Sequence, residues 1–363
     1  MFFKNNTFKY IILIIICFAF NTAHSAELKS FFKGVRPLGM GNAFTAVADD
    51  KNVLFYNPAG LAKLQKFEFA LIDPIIEVSK NTIDLIDDAR DIDTDNTTEV
   101  TNLMRTYLGK HQHLRVSVTP GFGFRVDNIG FMITAFAQGV VDIEVHNAVY
   151  PTADLYYRQD LGVMGGTGME FEFIHGLKLG LTFRALQRSI VDESYSAIEI
   201  SDDNFTDNVK DDKETNEDYY MDFGMIYTLR FKRFFHTDIG VVYQNVDAPG
   251  HEEKIGIEKQ LNVGIAMERY FKQSSLLVAF DYRDVSNKTS DDDDIWKRLH
   301  AGIEWSFPMF ALRAGVSQGY LTFGTTMDFG ILIIDAATYG EEIGSYSGQK
   351  VDRRYVIQLQ IGW

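Results

Sequence analysis

The residues best suited to chemistry are few. His111 and His113 stand two apart, so on a β-strand both imidazoles share a face and can meet on one metal ion. The sequence brings no carboxylate or third histidine beside them, so the expectation is a pair of exposed loop histidines and no metal. Asp91, Asp93, Asp95 and Glu99 resemble the opening of a calcium loop. The match fails where Asn96 stands for the turn glycine and Asn102 for the bidentate glutamate. Gly121-Phe122-Gly123 and Gly165-Gly166-Thr167-Gly168 do not lead from a strand into a helix, which excludes phosphate loops. No serine is paired with a histidine and an acid at a recognisable spacing. The chain is therefore read as no enzyme, with no catalytic residue and no cofactor.

Two prolines stand out by position. Of the seven, only Pro74 and Pro120 fall inside predicted strands, and those strands are the first and second. Proline donates no ladder hydrogen bond and is confined to edges and bulges. Pro74 and Pro120 are thus expected to kink the wall and leave a side opening toward the membrane. Glycines inside strands mark places where another backbone comes close. Gly162, Gly165, Gly166 and Gly168 are expected to seat an internal segment.

The elements that must position these residues are strands. Leu299, Ala301, Ile303, Trp305 and Phe307 alternate with His300, Gly302, Glu304 and Ser306, and similar period-two runs recur along the chain. Fourteen such segments are predicted, near 66–79, 113–125, 129–145, 155–172, 177–192, 218–231, 235–246, 259–270, 273–286, 296–307, 309–317, 320–328, 330–339 and 352–363. From the second strand onward, alternate links are short, such as Val126-Asp127-Asn128 and Phe307-Pro308. The links between them are long, such as 80–112 and 193–217, and only Gln318-Gly319 breaks the rule. Short turns at one end and long loops at the other predict a transmembrane, antiparallel, up-and-down all-β barrel. Residues 96–109 add a short helical insert, opened by Asn96 and Glu99 as a capping pair.

Export is written at the start of the chain. Lys4 and Lys9 precede an apolar run from Tyr10 to Phe20 and a small-residue exit ending near Ser25, the pattern of a signal peptide over residues 1–25. Cys17, the only cysteine, lies within it. The formal charge of −15 argues against a nucleic-acid partner held by a basic surface. Residues 192–218 hold eleven acids against two lysines, the composition of a solvated loop. In the last strand Tyr355, Ile357, Leu359, Ile361 and Trp363 share one face. An alternating strand ending in a C-terminal aromatic is similar to the signal read by barrel-assembly machinery in the outer membrane.

Residues 26–64 fit neither a strand nor one uninterrupted helix. Arg36-Pro37-Leu38-Gly39-Met40-Gly41-Asn42-Ala43-Phe44-Thr45-Ala46-Val47-Ala48-Asp49-Asp50 and Phe55-Tyr56-Asn57-Pro58-Ala59-Gly60-Leu61 are Gly- and Ala-rich, suited to tight turns in a crowded space. This block resembles the FadL-type outer-membrane family and its PorV- and TraF-like relatives. The resemblance implies a hatch or plug (26–64) ahead of a fourteen-stranded barrel (65–363). Gly39, Gly41, Phe44, Asn57 and Pro58 would then be the ligand-binding or gating residues of the hatch. It implies passive transport of fatty-acid-like hydrophobic molecules across the outer membrane. The alternative, favoured by the helical insert, is a PorV/TraF-like scaffold that partners an exported protein without transport. The partners implied are outer-membrane lipid, the assembly machinery, and a hydrophobic small molecule or an exported protein.

Overall fold

The computed structural model describes residues 30–362 apart from 66, 91, 94–95, 203, 232–234, 249–256 and 289–293. The expected signal peptide, the terminal Trp363 and most of the acidic run 291–294 lie outside the described residues. Sixteen strands follow in order: β1 (Phe67–Ile72), β2 (Ile75–Ser79), β3 (His111–Val118), β4 (Gly121–Val126), β5 (Ile129–His146), β6 (Thr152–Glu170), β7 (Leu177–Ser196) and β8 (Glu214–Phe231). Then come β9 (Phe235–Asp247), β10 (Gln260–Tyr270), β11 (Ser275–Tyr282), β12 (Leu299–Ser306), β13 (Phe310–Ser317), β14 (Tyr320–Asp328), β15 (Leu332–Glu342) and β16 (Val351–Gly362).

These sixteen segments build fourteen staves. β1 and β2 are halves of one stave, broken at Asp73-Pro74, and both pair with β16. β3 and β4 are halves of the next, broken at Thr119-Pro120, and both pair with β5. Every later strand pairs antiparallel with its neighbours in sequence, and β16 returns to the first stave to close the barrel. The two prolines explain the two extra segments.

Exposure follows the period-two pattern with its usual sense inverted. On β16, Ile357 is 46% exposed while Gln358 beside it is 3% exposed. Leu299, Ile303 and Trp305 of β12 point outward, and His300 and Glu304 point in. A water-soluble sheet protein hides the apolar face; this wall presents it. Such an apolar outer band around a polar interior is the surface a lipid bilayer requires. Among the described residues no helix is long and apolar enough to cross a membrane.

The lumen contains the hydrophobic core. It is filled by the N-terminal segment, which forms α1 (Val35–Gly39), α2 (Val53–Tyr56) and a 3-10 turn (Pro58–Lys63). Met40, Phe44, Leu54, Leu61 and Leu64 have no exposed surface and pack with wall residues such as Met132, Phe136, Met164 and Leu186.

The long-loop end differs from expectation in two places. β7 runs to Ser196, where it pairs with β6, and β8 begins at Glu214 opposite Ile190, so both ends of the loop expected at 193–217 are strand carried beyond the membrane. A bilayer needs only about 9–11 residues per strand. Above that height both faces meet water, so alternation disappears while the ladder continues. Two helices, not one, follow β2: α3 (Lys80–Ala89) and α4 (Thr97–Thr106). Ser79 caps α3 by accepting a hydrogen bond from Thr82 N, and Asn96 caps α4 through Thr98 N. Val100, Met104 and Tyr107 pack with Val145, Ala153 and Ala197, the last from α5 (Ala197–Ile200). A further helix, α6 (Phe205–Asp211), fills the loop to β8. The exceptional Gln318-Gly319 link is a two-residue hairpin with both residues at positive φ, which the strand twist favours.

Candidate functional site

The plug sits on a ring of glycines. A Cβ added to Gly180 or Gly224 would collide with Asn57-Pro58-Ala59, and one on Gly130 or Gly168 with Leu61 and its neighbours. Gly240 lies against Thr45-Ala46, Gly302 and Gly315 against Met40-Gly41, and Gly324 against Gly39. Gly41 has φ of +64° and backs onto the carbonyls of Ala301 and Val316, so no other residue fits there without strain. Of the glycines expected to form the seat, Gly166 and Gly168 do so. Gly162 instead accommodates the Phe136 ring, and Gly165 has nothing nearer than 3.7 Å. In a strand, residues of opposite parity face opposite sides, so Gly165 could not join Gly166 and Gly168 in the lumen.

Polar fastenings surround the same segment. Arg36 donates to Glu304 of β12 at 2.8 and 2.9 Å and to Asp49 and Asp50 at 2.6 and 2.9 Å. Lys63 reaches Asp238 of β9 at 2.9 Å and the carbonyl of Val47 at 2.6 Å. Asp281 of β11 accepts the backbone N–H groups of Phe44 and Thr45, both at 2.8 Å. Asn57 donates to the carbonyls of Thr45 (2.8 Å) and Met225 (3.3 Å), while its own side-chain oxygen accepts from Ala59 N. Tyr56 donates to Asn42 at 2.7 Å, and burial pushes its phenol up to about 12, so it remains a donor. Gly39, Gly41, Phe44, Asn57 and Pro58 thus all lie on the seat, Gly39 and Gly41 against β12 to β14, Phe44 at β11, and Asn57 and Pro58 against β7 and β8. Arg36, Lys63, Asp238, Asp281 and Glu304 were missed. For Asp238 and Glu304 the signal was present, since each falls on the polar face of an alternating strand, whereas Asp281 shares its face with Leu277 and Ala279 and carried none.

Pro74 and Pro120 flank a break in the wall. Ladder pairs between the first two staves stop at Ala70–Gly121 and resume at Ile75–Ser117. The outer ladders continue past the break, with a bulge between Ala70 and Ile72 on the β16 side: Leu359 N donates to Pro74 O at 3.2 Å and Ala135 N to Pro120 O at 3.0 Å. Asp73 fills the break. It has no exposed surface, accepts from Thr119 N at 2.6 Å and from the Thr119 hydroxyl, and receives Lys51 of the plug at 2.5 Å. One carboxylate therefore ties plug and wall together at the kink.

On the long-loop side of the plug is a cavity of about 440 Å³, floored by Phe31, Phe32 and Lys33. Its wall includes Glu77, His111, His113, Arg115, Asp142 and Arg354. The two histidines are therefore not exposed loop residues: they lie on β3, point into the lumen and are 3% exposed. Arg115 pairs with Glu77 at 2.5 Å and donates to Lys33 O at 2.9 Å, while Lys33 pairs with Glu341 at 2.7 Å.

Gly315-Val316-Ser317-Gln318-Gly319 spells the pattern of a hydrolase elbow. Here it runs from β13 into a hairpin rather than into a helix, as that elbow requires. Ser317 and His300 are 3.1 Å apart, but His300 Nδ1 also donates to Gly41 O at 2.8 Å and both residues are buried beside the plug. The pair fastens the plug.

A closed fourteen-stave barrel with an apolar outside, a charged lumen and an N-terminal segment packed within it is a plugged transmembrane barrel. Compared by sequence, the chain matches no family model and no curated protein. Compared by structure, it is similar to a monoaromatic hydrocarbon channel, the TodX deltaS2S3 mutant. The TM-score is 0.53 at 10% identity, covering 91% of this chain and 97% of that one. The CymD monoaromatic hydrocarbon channel gives a TM-score of 0.51 at 10% identity, covering 91% of this chain and 96% of that one. At these identities the likeness is one of fold.

Proposed function

We propose that this chain is exported by residues 1–25 and inserted in an outer membrane as a passive channel for small hydrophobic molecules. Residues 34–64 are its gate. The observation that carries this reading is the Lys51–Asp73 contact, which joins the plug to the wall break at Pro74 and Pro120. Molecules enter the cavity at the loop end, whose wall is formed partly by β2 and β3. The same two strands end at the break, about 20 Å along the strand from His113 to Thr119 at 3.3 Å per residue. Outside the break stand Leu71, Ile72 and Val116, all exposed, so a side exit leads to lipid. The fold shared with monoaromatic hydrocarbon channels supports hydrophobic cargo, with Phe31, Phe32, Val140 and Ile143 as its apolar contact surface in the chamber.

The test is uptake of a monoaromatic hydrocarbon into vesicles carrying the purified protein. Wild type is expected to exceed empty vesicles, and deletion of residues 34–50 to change the rate. Equal rates in all three would sink the transport reading.

A second reading is favoured by the number of fastenings around the plug and by the helices above the loop end. In it the lumen is permanently closed, and the barrel is a PorV/TraF-like scaffold docking an exported protein. It predicts no uptake and a co-purifying protein that is lost when residues 192–218 are shortened.

A further inference from the structure

The cavity's histidines and acids are arranged by strand register. β3 and β5 pair with His111 opposite Glu144 and His113 opposite Asp142. Residues two apart share a face, and directly opposite residues have Cβ atoms about 5 Å apart. The four side chains therefore form a two-by-two tile facing the lumen. Asp142 Oδ1 lies 2.5 Å from His113 Nδ1 and 3.2 Å from His111 Nε2. One ligand atom from each of these three residues lies within 4.8 Å of the others.

The geometry points to a divalent transition-metal site formed by His111 Nε2, His113 Nδ1 and Asp142. Two imidazoles and one carboxylate are a three-ligand set for Zn²⁺, which leaves the fourth position to water or a solute from the cavity. The second nitrogen of each ring supports the assignment. His113 Nε2 is 2.9 Å from Glu77 Oε1, and His111 Nδ1 faces Glu144 Oε2 at 3.8 Å. A carboxylate behind a ligating histidine fixes its tautomer and raises its basicity, the usual outer layer of such sites. His111 is 3% exposed, yet its Nδ1 makes no hydrogen bond, an arrangement that closing the ring onto a metal and onto Glu144 would complete. Glu77 is itself held by Arg115 and by the Tyr339 hydroxyl at 2.7 Å, so this outer layer is rigid. The cavity gives a hydrated ion access from the loop end. Nitrogen ligands select a zinc-, nickel- or copper-like cation over Ca²⁺ or Mg²⁺, which take oxygen. The site does not depend on hydrocarbon passage, because its staves and register are part of the wall.

The experiment uses the full mature barrel in detergent, without a polyhistidine tag and stripped with chelator. Calorimetric titration with ZnCl₂ is expected to show one tight equivalent, and CaCl₂ none. The variant His111→Gln/His113→Gln should lose that equivalent while keeping the heat-modifiable migration of an intact barrel. Glu77→Gln, which touches only the outer layer, should weaken binding by about 10–100-fold. Co²⁺ added to wild type should give the intense visible bands of a tetrahedral site, a readout needing no variant. The proposal is overturned if wild type binds no Zn²⁺ tightly. It is also overturned if the double variant, still an intact barrel, binds as wild type does through exposed histidines such as His175.

Discussion

Asp73 holds the break in the wall without access to water, and its partners fix what substitution will do. Removing one member of a buried ion pair leaves an uncompensated charge and costs about 3–5 kcal/mol. Lys51→Met should therefore lower the thermal midpoint of barrel unfolding, read by heat-modifiable electrophoresis. If the kink is an exit, the same change should raise hydrocarbon efflux from vesicles, because Asp73 loses its tie to the plug. A fall in stability with unchanged efflux would leave Asp73 a purely structural cap. The glycine seat makes a second prediction at this scale. Gly224→Ala pushes a Cβ into Asn57 and Pro58, an overpacking that costs about 1–3 kcal/mol. Gly139→Ala is the control, since nothing lies within 4 Å of the added carbon, and its midpoint should match wild type.

At the scale of elements, the sequence exposed much of the wall and little of what crosses it. Alternation marked the staves because one face meets lipid and the other a polar lumen, so period two survives along each membrane-crossing run. It failed above the bilayer, where β7 and β8 continue with polar residues on both faces. The His111-x-His113 pair was visible, and so was Asp142-x-Glu144 on the third stave. Their meeting was not, because it requires the ladder that starts at the Asp127-Asn128 turn to run unshifted past the Pro120 break, which a strand interrupted by proline does not announce. Charged pairs such as Arg36–Glu304 join residues 268 apart in sequence, and no local pattern announces them. The prolines were legible as kinks, but Asp73 as their stopper was not. Replacing Pro74 and Pro120 together with valine restores two donors and allows the ladder to close between Ala70–Gly121 and Ile75–Ser117. The expected outcome is a more stable barrel with slower hydrocarbon uptake. Faster or equal uptake in that variant would argue that the cargo does not leave through the kink.

For the whole molecule, the decisive feature is that the hydrophobic core is built around the plug, with wall residues such as Met132 and Met164 closing on it. A barrel of this kind needs no apolar interior for its wall, since lipid covers the outer face and the ladder satisfies the backbone. The core cluster nevertheless centres on Phe32, Leu38, Met40, Phe44, Leu54 and Leu61, all from the N-terminal segment. Wild-type protein in a planar bilayer should accordingly show no steady ion conductance. Deleting residues 34–64 removes that core and also strips Glu304, Asp281 and Asp238 of the plug groups they face. With water admitted to the lumen these acids are solvated rather than stranded, so the wall can persist. The variant should migrate as a heat-modifiable barrel of lowered stability and conduct ions continuously. Conductance in wild type equal to that of the deletion would mean that the segment does not seal the lumen in a membrane. A deletion that forms no barrel at all would make the plug part of the folding unit. In that case, partial displacement through Lys51 and Asp73, rather than release of the whole segment, becomes the motion that opens a path.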